Sequence, residues 1–280
     1  MDNKQEDQNF DDERSAGDIR KINLIHGILF LLMVICVPAI LYLLQSFVIN
    51  GSIPDEIVIK YFILDYDDPN FVSYFLSNYI HNPLNPGHIE DNLRTFILIS
   101  VVIYGEFFLV FPALDLHMPK KTVPIIYFIF FFLVPFSVSG ISVIFRNTGG
   151  FADEVKYSLG FSGIVWEFMG FLMFLSSFMF ARLITRKICR TSHSEKSVNM
   201  EYFPFLFFVA FLIFIPVYII IFDINSNVNP FAHLAGFSYG WLIPPVVASM
   251  LIYGDIRHKV SNIILILLLT GIPVLTSFAI

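Results

Sequence analysis

Long apolar runs separated by short polar breaks set the organisation of this chain. After a polar start, MDNKQEDQNFDDERSAGDIRK, seven apolar segments follow at about 22–49, 91–113, 123–145, 161–183, 203–222, 231–251 and 260–280. At 1.5 Å per residue each is long enough to cross a hydrocarbon core of about 30 Å as a helix. A span in lipid must satisfy its own backbone polar groups, which a helix does. The pattern therefore predicts an all-α polytopic membrane protein with seven spans.

Composition agrees with that reading. The 280 residues are 56% hydrophobic and 14% charged, with 33 Phe, far from the soluble average. Half of the net charge of −6 lies in the acidic N-terminal tail, residues 1–21, and the charge points to no particular partner. That tail has no short apolar core behind a basic start, so it reads as a polar tail and not as a cleavable signal peptide. No basic patch with interleaved aromatics is present, which argues against nucleic acid as a partner. The two cysteines, Cys36 and Cys189, fit neither a disulfide framework nor a zinc site, and no metal or other cofactor is expected.

Lysine and arginine set the predicted orientation. With the N-terminus inside, the inner regions hold Lys4, Arg14, Arg20, Lys21, Lys120, Lys121, Arg182, Arg186, Lys187, Arg190, Lys196, Arg257 and Lys259. The outer loops hold Lys60, Arg146 and Lys156, and Arg94 lies just within the second segment. Positive residues favour the cytoplasmic side, so the N-terminus is expected in the cytoplasm and the C-terminus outside the cell membrane. The first outer loop, about 50–90, is long and aromatic, and Pro69, Pro83 and Pro86 break it. Its Tyr and Phe content suits the membrane interface.

That orientation gathers the chemically interesting residues at the outer ends of three segments. His88 and Asn92 open the second segment, Ser162 the fourth and His233 the sixth. His88 and Asn92 are spaced i, i+4 and share a helix face, as do Ser162 and Trp166. Ala232, Gly236 and Gly240 form a stripe of small residues on the sixth segment, and Gly163 and Gly170 form one on the fourth. Such stripes let helix backbones approach closely in lipid. Close approach there would bring Ser162 and His233 together.

A serine hydroxyl needs a base to become a nucleophile, and a neutral imidazole in reach can serve. The tetrahedral intermediate then needs donors for its oxyanion; the Ser162 backbone N–H, Asn92 and His88 are candidates. No acidic residue lies near His233 in sequence, so a dyad is expected. Glycine-bracketed serines and lone membrane histidines usually serve helix packing, and His88 with Asn92 could cap a helix. Their shared side and depth favour a site.

Three stretches resemble the signature regions of rhomboid intramembrane serine proteases: GFSGIVWEFMG, AHLAGFSYG and HIEDN. They are similar to the family's G-x-S-G nucleophile motif (Gly160 to Gly163), its A-H-x-x-G-x-x-x-G helix and its H-x-x-x-N oxyanion motif. The resemblance runs from about 50 to 251. It implies Ser162 as nucleophile, His233 as base, and Asn92, His88 and the Ser162 backbone N–H at the oxyanion. Trp166 takes the aromatic position beside the catalytic histidine. His81 resembles the family's preceding histidine, with two extra residues before His88. Glu167 stands where a small residue is usual, and no Trp precedes Trp166.

The implied architecture is a six-helix rhomboid-like bundle over 22–253 with one further C-terminal transmembrane helix in 254–280. The implied function is a serine endopeptidase that cuts single-span membrane proteins near the outer face of the bilayer. Two alternatives are a catalytically silent rhomboid-like protein that binds membrane clients, and a transporter. The transporter has little support: no internal repeat is evident, and Glu106 and Glu167 are the acidic residues well inside the spans.

Overall fold

A computed structural model describes residues 27–28, 30–82, 86–114, 116, 118–149, 156–191, 214, 218, 229–253 and 255–279. The chain divides into two compact units, Met1–Ile40 and Leu41–Ile280. In the first, the described residues are helical and belong to the start of α1 (Phe30–Ile49), a helix of spanning length.

Within the second unit the segment after α1 is folded. It runs through α2 (Asp55–Ile57), a π turn, β1 (Leu64–Asp65), α3 (Phe71–Leu76) and a 3-10 turn at Ser77–Tyr79. Asn70 caps α3, its side chain accepting from the Ser73 backbone N–H at 3.0 Å. Phe71 and Val72 are exposed, as an interfacial segment requires, but Tyr66, Tyr74 and Tyr79 turn inward. Burial favours their rings because each hydroxyl finds a partner inside: Tyr74 meets Ser277 Oγ at 2.8 Å and Tyr79 donates to the Phe131 carbonyl. Strand β1 pairs antiparallel with β2 (Tyr157–Ser158), Leu64 opposite Ser158. This ties the segment after α1 to the residues just before Ser162.

Helix α4 (Pro86–Gly105) starts on proline, whose missing N–H costs nothing in a first turn. It continues through a π turn at Glu106–Val110 into α5 (Phe111–Ala113). The expected third span is two helices, α6 (Thr122–Phe132) and α7 (Val134–Asn147), bent by 43°. Pro135 explains the break, because it has no N–H for the Phe131 carbonyl and its ring crowds that oxygen. Three helices complete the described fold: α8 (Ser162–Thr191), α9 (Pro230–Ile252) and α10 (Ile256–Ser277).

Five helices among the described residues are long and apolar enough to cross a membrane, or six if the bent α6–α7 pair is one span. The fifth predicted segment, 203–222, lies outside the described residues apart from Phe214 and Tyr218. Large side chains such as Leu98, Leu109, Phe128, Ile256 and Leu275 point outward. In a multi-pass membrane protein that surface faces lipid, where it costs nothing.

The interior is aromatic. Phe168 of α8 takes edge contacts from Phe96, Tyr127 and Phe130, with ring centroids 5.0, 4.6 and 5.3 Å away. Helices α8 and α9 share the most extensive contact of any two described elements. The reason is steric. A Cβ on Gly170 would fall on the Phe237 carbonyl and 2.9 Å from the Gly240 Cα. One on Gly236 would fall on the Gly163 oxygen, and one on Gly240 on the Glu167 oxygen. Both small-residue stripes are thus in the interface, as the sequence predicts.

Candidate active site

Ser162 is the first residue of α8, and Gly160 shapes the approach to it. The Gly160 φ of 142° lies in the region that L side chains avoid, which explains glycine there. Its N–H donates to the Ser77 carbonyl at 2.9 Å, fixing this approach against the 3-10 turn at Ser77–Tyr79. A Cβ at Gly160 would stand 3.7 Å from both Ser162 Oγ and His81 Nε2. The absent side chain therefore leaves open the space that these two groups border. As the opening residue of a helix, Ser162 has a backbone N–H with no acceptor in its own helix.

His233 is buried in the first turn of α9, beside the glycine contact. Gly163, next to Ser162, packs toward Ala232, next to His233: a Cβ there would lie 3.6 Å from the Ala232 oxygen. The opening turns of α8 and α9 are therefore side by side. Trp166, one turn into α8, holds its ring 5.6 Å from the His233 ring, centroid to centroid. The planes meet at 38°, so the indole backs the imidazole at a tilt and is not stacked parallel to it.

The second segment is helical from before position 91, where its apolar run starts. Because α4 begins at Pro86, Asn92 stands in its second turn and is not its cap. The Asn92 side-chain nitrogen lies 2.7 Å from His81 Nε2. His88, one turn earlier, presents its ring to His81 edge-on, 5.1 Å between centroids. His81 itself is held by Gln45, whose amide both donates to the His81 carbonyl (3.0 Å) and accepts from the His81 N–H (2.7 Å). An amide nitrogen only donates, so the His81 ring accepts at Nε2 and carries its proton at Nδ1. Burial, with a smaller contribution from His88, pushes the His81 pKa down to about 3, and the ring is neutral.

Glu167 lies in the heart of the α8–α9 contact, fully buried, and neither carboxyl oxygen has a hydrogen-bond partner among the described residues. Glu106 differs, accepting from Ser176 Oγ at 2.8 Å. No group of three metal-ligating side chains occurs among the described residues.

Two supports were not read from sequence. Gln45 sits in an otherwise apolar span and gives no local hint of its partner. Asn229 caps α9, its oxygen accepting from the N–H groups of Phe231 (3.1 Å) and Ala232 (3.0 Å). The Asn229-Pro230 pair carries that signal, since Asn favours the cap and Pro the first helical position.

The arrangement brings a serine hydroxyl, a helix-opening N–H, three histidines and an amide to one end of the bundle. A family model described as Rhomboid domain matches residues 107–250, a stretch that contains Ser162 and His233 and begins beyond Asn92. No curated protein and no solved structure matches the chain.

Proposed function

The chain belongs to the rhomboid family, and on that premise we propose that it is an intramembrane serine endopeptidase acting through Ser162 and His233. The observation that carries the reading is the glycine contact between α8 and α9. With Gly163 against Ala232 and Gly236, the residue before one glycine and the residue after the alanine open neighbouring helices at the same end.

In this reading His233 takes the Ser162 proton as Oγ attacks the scissile carbonyl carbon. The Ser162 N–H and the Asn92 amide, with His88 one turn before it, donate to the oxyanion that forms. His81 holds the Asn92 amide in place. As the C–N bond breaks, His233 returns the proton to the leaving amine. Water then attacks the acyl-enzyme by the same route in reverse. Trp166 limits the motion of the imidazole.

The proposed substrates are single-span membrane proteins, cut near the outer face of the bilayer. The proposed architecture is a six-plus-one bundle of seven spans, on the pattern of apolar segments in the sequence. The N-terminus is cytoplasmic, on the distribution of Lys and Arg. A site at the outer end of α8 can admit the water that hydrolysis needs.

The test is cleavage of a reconstituted single-span substrate with helix-weakening residues near its outer end. The parent protein should cut it and Ser162→Ala should not. An uncut substrate with both proteins supports the silent, client-binding alternative. Equal cutting by both overturns the assignment of Ser162.

A further inference from the structure

Ser158 and Asn229 each stand four residues before a member of the dyad, Ser158 before Ser162 and Asn229 before His233. Their side chains meet: Asn229 Nδ2 is 3.4 Å from Ser158 Oγ, 2.8 Å from Ser142 Oγ and 3.1 Å from the Tyr66 hydroxyl. The Tyr66 hydroxyl is itself hydrogen-bonded to both serines. Four side chains from four segments thus form one polar knot: the outer loop beside β1, α7, β2 and the cap of α9.

Each member is fixed from outside the knot. The Tyr66 ring is buried, and its backbone N–H donates to the Lys156 carbonyl at 3.0 Å. Burial pushes its phenol up to about 12, so it stays neutral and able to donate. Ser142 Oγ donates to the Val138 carbonyl at 2.9 Å. Ser158 is paired with Leu64 across the two-stranded sheet. Asn229 uses its oxygen for the cap of α9 and its nitrogen for the hydroxyls, so one side chain joins His233's helix to Ser162's approach strand.

A helix cap alone needs only the oxygen. Three hydroxyl partners on the nitrogen, drawn from the outer loop, α7 and β2, do something a cap does not. We propose that Asn229, with Tyr66, Ser142 and Ser158, is a positioning bridge that sets the spacing between Ser162 and His233. This rests on the protease reading above. Acyl transfer is sensitive to such spacing, because a displacement near 1 Å between reacting groups costs on the order of 10²-fold in rate.

Asn229→Ser separates the two jobs of the side chain. Serine is a good cap but is too short to reach the hydroxyls. The full-length variant should melt close to the parent, keep its KM and lose about 10- to 100-fold in kcat. Ser158→Ala should lose less, and the double variant no more than Asn229→Ser alone, because both changes cut one bridge. Tyr66→Phe, which leaves the cap untouched, should also lower kcat with KM unchanged.

Parent-like kcat in folded Asn229→Ser, or losses that simply add in the double variant, would overturn the bridge. If Asn229→Ser does not fold, parent-like kcat in Tyr66→Phe overturns it. A parent protein that neither cuts substrate nor reacts with a serine probe removes the protease reading, and the bridge with it. An active parent with an equally active Asn229→Ser removes the bridge alone.

Discussion

Asn92 places its side-chain amide 2.7 Å from Nε2 of His81, across a loop that the sequence gives no means of closing. Eleven positions and two prolines separate the residues, yet the bond is made because Gln45 grips the His81 backbone from both sides. The histidine is thereby a neutral acceptor, buried on a polar clamp and adjacent to the space that Ser162 borders.

The buried His81 gives the protein a defined acid response. Its pKa is about 3 in the folded chain against 6.5 for an unperturbed histidine, so the unfolded chain binds a proton that the folded chain refuses. The contribution is fully present above pH 6.5 and is lost as pH falls from there toward 3, by at most about 1.4 kcal/mol per unit. Melting of the purified protein between pH 7 and 4.5 should therefore fall more steeply in the parent than in His81→Gln. Parallel profiles would show that His81 does not titrate this way.

Asn92→Ala distinguishes an oxyanion donor from a residue that merely braces His81. Loss of one such donor lowers turnover by roughly 10²–10³-fold with little change in KM. As Asn92 is not the cap of α4, stability should change modestly. Thermal melting and turnover measured on one preparation decide the matter: a destabilised enzyme with normal turnover would leave Asn92 a brace.

The glycine contact predicts a sharp contrast between two alanine substitutions. Gly236→Ala sets a methyl on the Gly163 backbone oxygen, which cannot move aside without parting α8 from α9. It should cost at least about 1–3 kcal/mol and abolish turnover. Gly271→Ala, in α10, meets nothing within 4 Å and should melt and turn over like the parent. Activity in folded Gly236→Ala would mean that the helix spacing at Ser162 tolerates more than the packing implies.

How much of this was legible in the sequence follows from the range of each signal. The glycine stripes at Gly163, Gly170, Gly236 and Gly240 are local patterns and lie in the α8–α9 contact as the periodicity predicts, and five of the apolar segments are helices of spanning length. The third segment reads as one span by hydropathy alone, and its 43° bend at Pro135 is seen in the fold. The clamp of Gln45 on His81 and the knot at Asn229 join residues that are far apart in sequence, and only the fold brings them together. His88 and Asn92 share a face as their spacing requires, yet the partner of Asn92 is His81, which the intervening prolines hid. Glu167 was visible as an anomaly, and its carboxyl has no hydrogen-bond partner among the described residues.

Orientation can be checked with Cys189, in the basic stretch after the fourth span. In a Cys36→Ala background, a membrane-impermeant thiol reagent should label it only after cells are opened. Labelling in intact cells would invert the proposed topology and move the outer ends of α8 and α9 to the cytoplasm.

The central claim is that His233 activates Ser162, and a fluorophosphonate probe tests it most directly, because an unassisted serine is unreactive. The parent protein should be labelled at Ser162, Ser162→Ala should not be labelled, and His233→Ala should lose labelling while melting near the parent. Equal labelling of parent and His233→Ala would contradict the dyad.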